Sequence, residues 1–279
     1  MNILTFDIED WYCYDTISRN LNWDDYEVRI YKGVEKILLA LDERHLKATF
    51  FCLGWVAEKH PQIIRDIAGQ GHQIGCHSYQ HELASYFTEA QFREDTIRAK
   101  NAIEDVVGHQ IALFRAPSFS ITESNLFCID VLAELGFTTD CSIFPTTRDY
   151  GGMPSYGSAE PSIIEHNGYR LKEYPISPMP LLNKQVVYSG GGYFRLFPYW
   201  LIKKFTKQSD YVMTYFHPSD FDPENPDMDW LPRIRRWKNS IGHKSAYNKF
   251  LRYIDDFEFV NIEVADKMIN WSNVKTIKV

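Results

Sequence analysis

The run ATFFCLGWV (48–56) is apolar at nearly every position, on both of the faces that a strand would present. A strand with one wet face alternates. One that does not must be covered on both sides, as in a parallel sheet flanked by helices. Shorter runs of the same kind recur at QIGCHS (73–78) and ALFRAPSF (112–119), with further strands expected over 3–9, 138–144, 171–177 and 211–217. Helical spacing lies between them. Residues 31–45 place Val34, Ile37, Leu38 and Leu41 on one face, and HPQIIRDIAGQGH (60–72) reads as a helix stopped by Gly69 and Gly71. Thr88 with Gln91 forms a capping-box signature for a helix over 88–107, and helices are also expected at 123–135 and 197–208. About seven strand–helix repeats without a flexible linker imply an α/β barrel rather than two open sheets. All of 1–279 is expected to form one domain, which a helix and strand between Tyr247 and Val260 would close.

Composition removes several classes of function. With 30 Lys+Arg against 37 Asp+Glu, the net charge is −7, which argues against nucleic acid as a partner. The basic run Arg233, Arg235, Arg236, Lys238 reads as a solvated helix face. Cys13, Cys52, Cys76, Cys128 and Cys141 form no C-x-x-C pair, and their scatter suggests buried reduced thiols rather than a disulfide framework. The opening MNILTFDIEDW lacks a basic n-region, and no run approaches the about 18 apolar residues of a membrane span. A cytoplasmic location is the resulting expectation.

Ionisable groups sit at the ends of successive expected strands: Asp7, Glu9 and Asp10; His77 and His81; Arg115; His217. In α/β barrels the rim at the strand C-termini is where sites are built. His77 and His81, four apart, would share one face of a helical turn and could ligate one ion. An acid from the first strand would complete a two-His, one-carboxylate set with a position open for water. Strand alternation puts Glu9 on the side of Asp7, while Asp10 lies just past the strand end; both stand as candidates for the third ligand.

TFDIEDW (5–11), HSYQH (77–81), RAPSFS (115–120) and His217-Pro218 resemble, in order and spacing, the motifs of the polysaccharide deacetylase superfamily of carbohydrate esterases. GGGYFRLFP (190–198) and YFHPSDFDP (215–223) are similar to a subgroup associated with exopolysaccharide and surface-glycan loci. The resemblance spans residues 3–218 and implies a distorted (β/α)7 barrel. It further implies N-deacetylation of an amino sugar that is polymeric, lipid-linked or nucleotide-linked, with a divalent metal, Zn2+ by preference. By the same resemblance Asp7 is the base, Arg115 holds it, His217 is the acid, the Ser118 N–H stabilises the oxyanion, and His77 and His81 ligate the metal. Two departures stand out. Asp7-Ile8-Glu9-Asp10 replaces the family's consecutive Asp-Asp-Gly, and Phe119 stands where Gly is common, implying a bulkier pocket wall. Alternative readings are a cyclic-amide hydrolase of the allantoinase-related branch and a catalytically inactive glycan-binding protein.

Other residues carry weaker signals. Trp11, Tyr12, Trp23, Tyr150 and Tyr156 could offer flat faces to sugar rings. Tyr193 and Arg195 could contact substrate or belong to a tight loop before a helix, and Asp140 and Ser142 could line the sugar site or be loop polar groups.

Overall fold

The structure is a computed structural model that describes residues 1–13, 22–148, 151–181, 184–226, 228 and 233–279. Its strands are β1 (Asn2–Ile3), β2 (Thr5–Ile8), β3 (Thr49–Cys52), β4 (Gln73–Cys76), β5 (Leu113–Phe114), β6 (Thr139–Asp140), β7 (Ser162–His166), β8 (Tyr169–Glu173), β9 (Met179–Leu181), β10 (Lys184–Val186), β11 (Val212–Met213) and β12 (Thr276–Lys278). The helices are α1 (Ile30–Asp42), α2 (Gly54–Lys59), α3 (Pro61–Gly69), α4 (Glu89–Val107), α5 (Phe127–Glu134), α6 (Gly191–Leu196), α7 (Tyr199–Gln208), α8 (Arg233–Ser240), α9 (His243–Asp256) and α10 (Ile262–Met268).

Eight strands form one sheet in the order β12-β7-β8-β6-β5-β4-β3-β2. From β2 to β6, and on to β8, every pairing is parallel. The sheet curls back on itself through the β11 segment. Asp7 N–H donates to the Phe216 carbonyl at 2.8 Å and Thr214 N–H to that of Ile3 at 3.0 Å. On the far side of β11 the ladder shrinks to a single bridge, Gly190–Tyr215, and side chains supply other contacts. The Met213 N–H donates to Ser177 Oγ at 3.1 Å and the Tyr211 hydroxyl to the Pro175 carbonyl at 2.8 Å. The result is a distorted (β/α)7 barrel in a single domain.

Local chemistry explains most boundaries. Thr88 and Gln91 make the full capping box on α4, and Gly108, at φ 76, ends that helix. The apolar run 48–56 is a strand only to Cys52, because Gly54 opens α2 instead. A side chain at Gly54 would strike the Cα of Ala99 on α4 at 2.6 Å, so bare backbone is what lets the two helices touch. The antiparallel hairpin β7–β8 departs from an all-parallel reading. Its two-residue loop, Asn167-Gly168, has φ 48 and 86, the left-handed pair that an Asn-Gly hairpin turn needs. The expected closing strand near Val260 is a single bridge to Ile3, while β12 adds an unexpected edge beside β7. GGGYFRLFP contains a helix, α6, rather than a loop.

The proposed aromatic platforms are overturned. Trp11, Tyr12, Trp23 and Tyr156 are all buried, the first three packed with Tyr26 and Trp55 at centroid distances of 5.1–6.1 Å. Flat apolar rings gain more from each other than from water. Tyr150 and the side chains of Arg235 and Lys238 lie outside the described residues.

Candidate active site

Parallel register sets the site. Asp7 on β2 stands opposite Phe51 on β3, and Phe51 opposite Gly75 on β4. The missing side chain at Gly75 leaves room for the Phe51 ring, over which the Arg115 guanidinium lies at 4.2 Å. Arg115 Nη1 then donates to Asp7 Oδ1 at 2.7 Å and to Thr5 Oγ1 at 2.8 Å, wholly buried. Burial pushes the Asp7 carboxyl up. Arg115, His77 and His217 together outweigh it and hold the group below the usual carboxylate range.

His77 and His81 do not share a helical turn. Residues 77–83 form a loop, with Ser78 at φ 66 and His81 at φ 54, conformations that cost non-glycine residues energy. The start of α2 supports them: the Gly54 and Trp55 N–H groups donate to the carbonyls of Ser78 and Tyr79, each at 2.9 Å. These two donors would otherwise be orphaned at a helix N-terminus. The rings still converge, at a centroid distance of 5.2 Å.

Glu9, His77 and His81 each offer a ligand atom, all within 4.8 Å of one another. His77 Nδ1 lies 2.7 Å from the Arg115 carbonyl, so it carries the proton and leaves Nε2 for an ion. Burial lowers the His77 pKa to about 4, in spite of the Asp7 and Glu9 charges, so its ring is neutral at pH 7. Two imidazoles and a carboxylate form a set that fits a divalent ion of the zinc type. Asp10 is not part of it. Its two oxygens accept the N–H groups of Trp11, Arg29 and Ile30 at 2.8–3.0 Å, which anchors the start of α1. An acid one residue past the strand end points along the loop, not into the mouth.

His217 stands on the neighbouring segment, next to Phe216, whose carbonyl accepts the Asp7 N–H. Its Nε2 is 3.9 Å from Asp7 Oδ2 and 3.7 Å from Glu9 Oε1. Its Nδ1 is 3.1 Å from Asp220 Oδ2, and Asp220 Oδ1 is in turn paired with Arg195 Nη1. Burial works against the imidazolium, yet the Asp220 hydrogen bond and charge, with Glu9 and Asp7, push His217 up to about 9. Sequence reasoning missed Asp220. The signal was present in HPSD, since an acid three residues after His217 can reach back to its backbone N–H, as it does at 2.9 Å. Arg195 is buried on Asp220 and is not a surface contact, while Tyr193 is exposed.

Asp140 and Ser142 support the third motif from behind. Ser142 Oγ accepts the Ala116 N–H at 2.8 Å and donates to Asp140 Oδ1 at 2.5 Å. Asp140 is fully buried beside Glu173, whose carboxyl burial pushes well up. They hold the turn in which Ser118 and Phe119 adopt φ 51 and 54.

Residues 13–139 match the family model described as polysaccharide deacetylase. The chain carries a polysaccharide deacetylase domain. Residues 141–266 match a second model, described only as a domain of unknown function, although β5, β6 and β8 run unbroken across the junction. A peptidoglycan-N-acetylglucosamine deacetylase of Bacillus cereus is 37% identical over 91 residues, covering 33% of this chain and 33% of that one. An uncharacterized Bacillus subtilis protein, YlxY, is 30% identical over 145 residues, 52% of this chain and 44% of that one. The chain therefore spans less than half the length of these curated relatives. A crystal structure from Mycobacterium smegmatis assigned to the polysaccharide deacetylases superposes with a TM-score of 0.68 at 20% identity, covering 100% of this chain and 92% of that one. A Bacillus anthracis structure described as a family 4 carbohydrate esterase pseudoenzyme superposes at 0.51 and 12% identity, covering 100% and 69%. At such identities the likeness shows the fold alone, and the deacetylase domain's chemistry must be argued from its residues.

Proposed function

We propose that this chain is a metal-dependent hydrolase that removes the N-acetyl group from an amino sugar of a bacterial surface glycan or its precursor. One observation carries the reading. The Glu9–His77–His81 group, the Asp7–Arg115 pair and His217 come from separate strand ends, β2, β4, β5 and the segment after β11, and meet at one mouth. A divalent ion held by Glu9, His77 and His81, Zn2+ by preference, would supply Lewis acidity, polarising the amide carbonyl and acidifying a water.

The chain's own groups divide the proton work. Asp7, kept ionised by Arg115, takes the proton from the attacking water. The Ser118 N–H, by the likeness of the third motif, would donate to the oxyanion as the carbonyl carbon becomes tetrahedral, a stabilisation of about 3 kcal/mol for a well-aimed donor. His217, protonated through Asp220, gives its proton to the departing amine as the C–N bond breaks, leaving acetate and a free amino sugar. A positioned base and acid each typically contribute about 10²- to 10⁴-fold. Five buried cysteines without a disulfide fit the reducing, cytoplasmic setting we propose for it. There a lipid-linked or nucleotide-linked sugar is as suitable a substrate as a polymer.

Metal analysis combined with acetate release from a panel of N-acetylated sugars tests the reading. Stoichiometric zinc with acetate release from at least one sugar is expected. A fully metallated protein that opens a cyclic amide such as allantoin, and releases no acetate, would replace it with the cyclic-amide reading. Sugar binding without turnover of either class would replace it with a glycan-binding role.

A further inference from the structure

Phe119, the residue at which the third motif departs from its family, has an arginine on either side. The Arg115 guanidinium carbon lies 5.6 Å from its ring centroid and that of Arg148 5.2 Å. Arg115 is ion-paired to Asp7 through Nη1, although its Nε and Nη2 are buried without a hydrogen-bond partner among the described residues. Arg148 rests on two rings, Phe119 and Phe144, the second at 5.0 Å, and among the described residues it has no ion pair. Among the same residues its Nη1 is buried with no hydrogen-bond partner. A buried guanidinium N–H left unmade costs on the order of 1–3 kcal/mol, so native proteins rarely keep one without use.

The chain builds this seat deliberately. Gly152 adopts φ 90 and donates its N–H to the Phe119 carbonyl at 3.2 Å, while Met153 N–H donates to that of Phe144 at 2.8 Å. A Cβ at Gly151 would meet the Phe119 carbonyl oxygen at 2.2 Å, so only bare backbone can lie on the turn that follows Ser118. The wall then continues to the site. The Phe119 ring packs edge-on to Tyr215 at 5.3 Å, and Tyr215 edge-on to His217 at 6.2 Å. Arg148 is thus joined to the acid by three successive ring contacts along one wall. A planar fork stacked on aromatic faces keeps its donors in the ring plane, free to take a carboxylate or phosphate in bidentate fashion.

We propose that Arg148 reads the substrate, taking an anionic substituent on or next to the N-acetylated sugar whose acetyl group faces the Glu9–His77–His81 group. The inference rests on the deacetylase reading for the orientation of the sugar. It narrows the substrate class to sugars bearing a carboxylate or a phosphate.

The test is calorimetric binding to the metal-loaded full chain of three probes: N-acetylglucosamine, its 1-phosphate, and an N-acetylated amino uronic acid. At least one charged probe should bind tenfold or more tightly than the neutral sugar. In Arg148→Gln that charged-to-neutral ratio should fall to near one, in Arg148→Lys only part of the way, and Phe144→Leu should weaken it through the lost ring. Preference for the 1-phosphate identifies a carrier-linked or nucleotide-linked substrate; preference for the uronic acid identifies a carboxylated glycan. Equal affinity for all three probes, or a ratio that survives Arg148→Gln, overturns the proposal. Because no turnover is read, absence of acetate release would count against the deacetylase reading alone.

Discussion

The two halves of the chain bring different chemistry to the same mouth. Before Asp140 come the ligand set Glu9, His77 and His81 and the base pair Asp7–Arg115, at or just beyond the ends of parallel strands within one continuous ladder, except His81, which the loop after β4 carries. After it come His217, Asp220 and Arg195, on a segment joined to that ladder on one side by backbone hydrogen bonds and held on the other by side chains and a single backbone bridge, Gly190–Tyr215. A metal site demands ligand positions fixed to a fraction of an ångström, which a strand ladder supplies. An acid must tune its proton affinity, and a buried Asp–Arg pair behind an imidazole does this from a looser frame. The halves thus separate Lewis acid and base from general acid.

Substitutions can break that separation. His77→Ala should have the largest effect, with bound metal and acetate release falling together to background; metal retained at wild-type level would remove His77 from the ligand set. Asp7→Asn should cost about 10²- to 10⁴-fold in kcat with metal content intact, measured by atomic emission beside the rate. Turnover equal to wild type would take the base role from Asp7. In the other half, Asp220→Asn should cost less, about 10- to 100-fold, and act on the pH profile. His217 must be protonated to serve as acid, and Asp220 raises its pKa. Removing the Asp220 charge therefore moves the alkaline limb of kcat to lower pH. An unmoved limb, or loss of metal, would show that the halves do not divide the work in this way.

His72 provides a control at the other end of the strand that leads into His77. Burial and then Lys47 lower its pKa to about 4, and Nδ1 accepts the Ala48 N–H at 3.3 Å. Below pH 6.5 the unfolded chain binds a proton that the folded chain refuses. Stability contributed here is present above that pH and is lost as pH falls toward 4, by about 1.4 kcal/mol per unit. Urea midpoints of His72→Gln should thus fall less steeply than wild type between pH 7 and 5, with catalysis at pH 8 untouched. Parallel pH dependence would place the acid sensitivity elsewhere.

Legibility followed the same division. Asp7, Glu9, His77, His81 and Arg115 could be read because each sits at or just beyond a strand end, where residue type and chain position together announce a rim. The Thr88 cap and the helix stopped by Gly69 and Gly71 were equally local. Asp10 was misjudged because one residue of chain direction separates a side chain in the mouth from one turned back onto α1. The aromatic cluster was misjudged because hydrophobicity does not say whether a ring faces a sugar or another ring. Asp220 was overlooked although HPSD carried it. The β7–β8 hairpin was missed although Asn167-Gly168 announced it.

What the chain determined by itself was periodic and local: which runs are strands, which faces of helices are apolar, and which ionisable groups end up at the rim. Those properties follow from backbone geometry and nearest neighbours along the chain. Tertiary structure alone decided that Glu9 and not Asp10 joins the histidines, that Arg195 lies behind His217, and that Arg148 has no ion pair among the described residues. Each of these depends on groups dozens to hundreds of residues apart, brought within a few ångströms by a sheet that closes on itself.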